Sequence, residues 1–128
     1  DGRIELTKIR PDGGGYLTGN IWTLHSRVRY FDPAKRRSGL PDDVAALVEK
    51  LAADSVTLTL VNLDPVDART VVVQAGAYAE HQFTTVTWNS RSLALDSPVV
   101  TVRLEPGSGG RLVFSMKRYA NQPTLAPP

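Results

Sequence analysis

At 128 residues and 13.9 kDa the chain is the size of one domain, long enough to bury roughly two-thirds of its unfolded surface around a single core. It is 41% hydrophobic and 22% charged, which excludes a disordered or collagen-like chain, and a formal charge of only +2 implies no polyanion-binding surface. With no cysteine, disulfides, thiol catalysis and Cys-bound zinc are ruled out.

No apolar run approaches the ~18 residues that cross a bilayer, and no signal peptide is recognisable. The chain starts at Asp1 rather than Met, which reads as a processed chain or an excised piece of something longer. About eight short β-rich runs follow one another, separated by Gly, Pro, Asn and Asp. The first covers residues 3–9 and ends at Pro11-Asp12-Gly13-Gly14-Gly15, where positive φ is accessible. The second covers residues 21–31. There Trp22, Leu24, Val28 and Tyr30 share one parity while Thr23, His25, Arg27 and Arg29 share the other, the pattern of a half-buried strand.

Asp32-Pro33 ends that strand, and the basic loop Lys35-Arg36-Arg37-Ser38-Gly39 leads into one predicted helix near residues 42–53. Pro41 suits a first helical turn, Asp42 and Asp43 complement the positive end of the dipole, and Val44, Leu47, Val48 and Leu51 fall at i, i+3, i+4, i+7. At about eleven residues such a helix needs packing to be stable, so it is expected to cross between β segments with that stripe on the sheets.

After Asp54 the predicted strands come quickly. Residues 55–63 alternate Val56, Leu58 and Leu60 against Thr57 and Thr59; residues 69–75 carry Val71 and Val73 on one face; residues 80–88 are Thr-rich; residues 92–95 form a short strand after the turn Asn89-Ser90. Residues 98–104 present Val100, Val102 and Leu104, and residues 111–118 present Leu112, Phe114 and Met116 inward. Strands at this spacing, with polar turns and no helix between most pairs, predict an all-β fold: an antiparallel β-sandwich, immunoglobulin-like or jelly-roll-like, with the small barrel as competitor. Residues 1–120 form its single domain, and residues 121–128 a Pro-rich tail.

The inventory for chemistry is thin. His25 and His81 are the only histidines, and their spacing points no two imidazoles at one ion. Glu80-His81 reads as an acid–base pair in print, but neighbours in a strand point to opposite faces. Most of the aspartates fall in turns or at the predicted helix end, where local hydrogen bonding explains them. The glycine clusters open no helix and read as turns rather than phosphate cradles. The basic loop with Arg27 and Arg29 could form a positive patch, but no nucleic-acid motif accompanies it. No catalytic residue, cofactor or metal ligand is therefore assigned. Carbohydrate contact uses exposed aromatic rings flanked by polar groups, and the candidates are Trp88, Tyr78, Tyr16 and Tyr119; Trp22 and Tyr30 share parity with core residues.

Residues 54–83 (DSVTLTLVNLDPVDARTVVVQAGAYAEHQF) and 104–114 (LEPGSGGRLVF) are similar to the C-terminal β-sandwich accessory domains of large bacterial multidomain proteins, many of them glycoside hydrolases. The resemblance implies a non-catalytic accessory domain of an extracellular or periplasmic glycan-active protein. Its partner would be carbohydrate or an adjacent catalytic domain; from the residues themselves, neither nucleic-acid binding nor a membrane span is expected. Two alternatives stand beside it: a structural β subunit that assembles by edge-strand addition through residues 3–9 or the tail, and a small metal-dependent β-barrel enzyme.

Overall fold

A computed structural model describes the backbone of residues 4–7 and, in full, residues 28–126. Ten strands are present among the described residues: β1 (Ile4–Thr7), β2 (Val28–Asp32), β3 (Arg37–Ser38), β4 (Val44–Leu51), β5 (Ser55–Asn62), β6 (Arg69–Ala75), β7 (Gln82–Trp88), β8 (Arg91–Ser97), β9 (Val99–Leu104) and β10 (Gly109–Lys117). They form two five-stranded antiparallel sheets, ordered β1-β9-β6-β2-β3 and β4-β5-β10-β7-β8. The fold is the predicted β-sandwich. None of the described residues is helical, so none forms a helix long and apolar enough to cross a membrane.

Alternation along the strands builds the core. In β5 every second residue is buried, so Val56, Leu58 and Leu60 point inward and Thr57 and Thr59 outward. Leu112, Phe114 and Met116 of β10 join them, and the Phe83 and Phe114 rings meet at 4.7 Å between centroids. Val71, Val73, Val100, Val102 and Leu104 close the core from the other sheet with no exposed surface. Each such side chain contributes about 1.5–3 kcal/mol by leaving water. The first sheet is also closed on its outer face: β6 is buried from Val71 to Ala75 on both parities, and Phe31, Val72 and Val99 form a second buried cluster there. The unbroken Val71-Val72-Val73 run is the sequence signature of a strand covered on both sides. Arg29, predicted on a wet face, is accordingly buried.

The predicted helix near 42–53 is corrected to strand β4, which pairs with β5 from Val44↔Asn62 to Leu51↔Val56. Asp43 sits at φ 64°, outside helical geometry, and the Val44 N–H bonds Pro41 O. The helical stripe is dispersed: Val44 is buried, while Leu47, Val48 and Leu51 are exposed. Helix propensity over so few residues is weak, and the alternating β5 edge offers a full ladder of backbone partners. A bulge between Val48 and Lys50 throws Glu49 outward, where it pairs with Arg111 at 2.7 Å and accepts a hydrogen bond from Thr59.

At one end of the sandwich the two sheets are tied by Asn62, whose side chain is fully buried. Its amide donates to the carbonyls of Asp67 (2.9 Å), Leu104 (3.2 Å) and Glu105 (3.3 Å), and its Oδ1 accepts the Asp64 N–H at 2.9 Å. One side chain thus joins β5, the β5–β6 loop and the β9–β10 connection. Asn62→Ala strands these carbonyls without donors and is expected to destabilise the fold by about 2–3 kcal/mol, read as a shift in the urea midpoint. A midpoint that does not move would contradict this role.

Candidate functional site

Two surface depressions bear on function. The first is a cleft of about 140 Å³ lined by Asp32, Lys35, Pro41, Asp42, Arg69 and Thr70, among others. Its charges are spent on one another. Lys35 pairs with Asp42, Arg37 reaches Asp42 at 3.1 Å and Asp32 at 3.9 Å, and Arg69 bridges Asp43 (3.2 Å) and Asp64 (2.7 Å). Asp32 is buried because its Oδ1 accepts the N–H groups of Ala34 and Lys35, the turn that lets β2 fold back into β3. The basic loop seen in the sequence is therefore neutralised within the chain at Lys35 and Arg37. Among the described residues no three His, Asp or Glu side chains converge as metal ligands.

The second depression lies at the opposite end of β7 from Trp88. It is a shallow pocket of about 320 Å³ lined by Tyr78, Pro123, Thr124 and Leu125. Tyr78 stands on the loop of residues 76–80, where the chain leaves β6 to enter β7. Gly76 at φ +89° and Ala79 at φ 58° reverse the backbone, and a Cβ at Gly76 would overlap the Glu80 carboxylate. The loop's backbone polar groups are held from every side. Gln74 donates to Gly76 O and Ala77 O at 3.2 and 3.1 Å, and Arg29 donates to Ala77 O at 3.2 Å. Glu80 Oε1 accepts the Tyr78 N–H at 2.8 Å. The C-terminal segment completes the clamp: Thr124 N–H donates to Tyr78 O, Asn121 N–H to Glu80 O, and the Asn121 amide to Ala79 O, His81 O and Gln82 Oε1. Strained φ at a non-glycine residue persists where surroundings over-determine it, and here they fix the backbone that carries Tyr78 at the pocket rim.

Glu80 and His81 depart from the sequence-based reading that they face apart. They precede β7 rather than belonging to it, and His81 Nε2 lies 3.8 Å from Glu80 Oε2. His81 Nδ1 accepts the Tyr119 N–H at 3.0 Å, so that nitrogen carries no proton and the neutral ring holds its proton on Nε2, toward the carboxylate. Both side chains are nearly enclosed, at 4% and 12% exposure. The pair props the Tyr78 loop and the C-terminal segment from beneath.

Of the four aromatic candidates, the structure brings Tyr78 and Tyr119 to the same end of the sandwich. Tyr119 is 70% exposed, its ring set edge-on to His81 at 4.9 Å with the Arg118 guanidinium 5.3 Å from its centroid. Trp88 is elsewhere, about 20 Å away along β7 at ~3.3 Å per residue. It is half-buried against the core, and its indole N–H is buried with no hydrogen-bond partner among the described residues. Tyr16, like His25 and the predicted strand residues 21–27, lies outside the described residues. Sequence reading missed Arg29, Gln74 and Asn121 as supports of the loop. Only Asn121, a polar residue ahead of a Pro-rich tail, left a trace, since side-chain capture of a loop carbonyl has no local pattern.

No family model, curated protein or solved structure matches this chain.

Two outcomes follow from this geometry. Gly76→Ala forces a side chain into the Glu80 carboxylate at a positive φ, and is expected to lower stability by about 1–3 kcal/mol with a fall in the thermal midpoint; an unchanged midpoint would refute the packing described. Acid acts at the other end. The hydrogen bond from Lys35 holds the Asp42 carboxyl below its ordinary pKa, and those from the Val66 and Asp67 N–H groups, then Arg69, do the same for Asp64. Groups depressed in the folded state stabilise it above their unfolded pKa of about 4 and lose that contribution as pH falls through the lower folded values. The urea midpoint should therefore drop below about pH 4, and less so in Asp64→Asn; equal acid sensitivity in that variant would argue against it.

Proposed function

We propose that this domain is a non-catalytic accessory module of a larger secreted, glycan-active protein, and that it contacts carbohydrate through the Tyr78 rim. The observation that carries the reading is the place of Tyr78 in the pocket wall, on a loop of residues 76–80 whose backbone is held by hydrogen bonds from several elements. A sugar ring lays its C–H face on an aromatic ring, and this gains most when the ring is ordered before binding. Pro123 and Leu125 extend the apolar surface, while the Tyr78 and Thr124 hydroxyls offer groups that read sugar hydroxyls. The pocket volume lies at the lower end of the range for small-ligand sites, consistent with a short stretch of polysaccharide lying across the rim. Assembly by strand addition is less favoured at β4, because the Glu49 bulge and its ion pair to Arg111 interrupt that edge.

Affinity electrophoresis against a panel of soluble polysaccharides tests the reading. At least one should retard the wild-type domain, and Tyr78→Ala should abolish the retardation while leaving the unfolding midpoint close to wild type. Trp88→Ala should instead destabilise the fold by about 3 kcal/mol and, at temperatures where it remains folded, retain binding. Retardation by no polysaccharide, or loss of binding in Trp88→Ala but not Tyr78→Ala, would overturn the proposal.

A further inference from the structure

His81 is buried just ahead of β7, at the base of the segment that supplies Pro123, Thr124 and Leu125 to the Tyr78 pocket. Its Nδ1 accepts the Tyr119 N–H at 3.0 Å, and Tyr119 is where the chain turns away from β10, at φ 55°. Left-handed backbone is unfavourable for a bulky aromatic residue and persists only where its surroundings hold it. The other ties of the segment to the loop end on oxygen: Asn121 N–H on Glu80 O, Thr124 N–H on Tyr78 O, and the Asn121 amide on Ala79 O, His81 O and Gln82 Oε1. None of those oxygens titrates. Among the described residues, the Tyr119 bond is the tie of this segment that a single proton removes. The groups around the ring decide whether it can carry that proton. On the loop, Glu80 Oε2 lies 3.8 Å from Nε2, and Glu80 Oε1 holds the Tyr78 N–H. On the C-terminal side stand the Tyr119 phenol ring, 4.9 Å away, the Arg118 guanidinium 5.3 Å from that ring, and Lys117 at the end of β10. Gln82 of β7 is bonded to Asp96 of β8, and Arg29 of β2 reaches Ala77 O. An imidazolium formed here finds a carboxylate already facing Nε2.

We propose that His81 is a proton-operated latch on the pocket: a proton taken from water by Nδ1 turns that nitrogen from acceptor to donor, frees the Tyr119 N–H, and lets residues 119–125 lift from the Tyr78 loop. Two donors then face each other across the former bond, while the Nε2 proton stays directed at Glu80. Charge is accommodated on one side of the ring and contact is lost on the other. The closed segment goes with the neutral ring and the open one with the imidazolium. Opening therefore takes up a proton and grows as pH falls through the histidine range, about 6.5 for an unperturbed side chain. Losing one hydrogen bond enlarges the open population about tenfold. Resting on the carbohydrate reading for what the pocket holds, the same step releases polysaccharide in mildly acidic surroundings and retains it at neutral pH.

Amide hydrogen exchange on the intact domain, followed by NMR from about pH 8 to about pH 5 and corrected for intrinsic exchange, tests the latch without any ligand. The Tyr119, Asn121 and Thr124 N–H groups should lose protection about tenfold, with a midpoint matching the titration of the His81 imidazole in the same spectra, while Val73 in β6 keeps its own. His81→Asn sets a non-titrating oxygen near the place of Nδ1 and should hold protection constant over that range. Constant protection in wild type, an imidazole that takes up no proton above about pH 5, or a loss undiminished in His81→Asn overturns the latch. Should His81→Asn fail to fold, wild type decides, and midpoints that do not coincide overturn it. For the coupling to ligand, any polysaccharide that retards wild type at about pH 7.5 should be held about tenfold less tightly at about pH 5.5. Equal retardation at both pH values, with the segment open, overturns the control of binding. Retardation by no polysaccharide, with protection lost as described, leaves the latch standing and removes the carbohydrate reading.

Discussion

Everything in this molecule depends on the apolar contact between the inner faces of β5 and β10 and those of β6 and β9. Leu58, Leu60, Leu112 and Phe114 on one side meet Val71, Val73, Val100, Val102 and Leu104 on the other with no water-accessible surface left. A sheet alone cannot bury its apolar face, so the second sheet is a requirement rather than an addition. The chain meets it by passing repeatedly between layers: β5 lies in one sheet, β6 in the other, β7 and β8 back in the first of these, β9 across again, and β10 back once more. Each passage leaves a connection at an end of the sandwich whose backbone groups need partners.

The two ends solve that problem differently. Where β5 passes to β6 and β9 to β10, one buried amide, Asn62, satisfies carbonyls from both connections. Where β6 passes to β7, the partners come from three places: Arg29 and Gln74 on the sheet below, Glu80 within the loop, and Asn121 and Thr124 from the C-terminal segment. The first solution gathers carbonyls of both connections onto a single side chain. The second spreads the task over several side chains and sets Tyr78 in the wall of a surface pocket, which is why functional interest concentrates there.

Much of the strand pattern was legible without coordinates. Residues 69–75 are bounded as the sequence predicts, and the inward sets of β5 and β10 are those that alternation selects. Two failures are instructive. Residues 42–53 satisfy every local criterion for a helix, but those criteria take no account of an unpaired β5 edge able to accept them along most of its length. A strand beginning at residue 80 would set Glu80 and His81 on opposite faces; β7 begins two residues later, which frees both side chains to meet. A small boundary error reversed a statement about chemistry, because side-chain direction in a strand inverts with each residue. For the site, Tyr78 and Tyr119 were candidates by composition and position, whereas their nearness was not foreseeable: it arises when residues 119–124 fold back across the loop.

What the amino-acid order determined alone is the class of fold, since period-two alternation with turn residues between runs leaves a sandwich as the efficient way to bury so many Val and Leu side chains. What only the tertiary structure decided is which polar residues became buried supports and which remained available. Arg29 falls on the wet face of the predicted strand in the sequence; register against Gln74 and the return of the loop above it are what enclose it. Burial and pairing are properties of neighbours distant in the chain, and short-range periodicity carries no information about them.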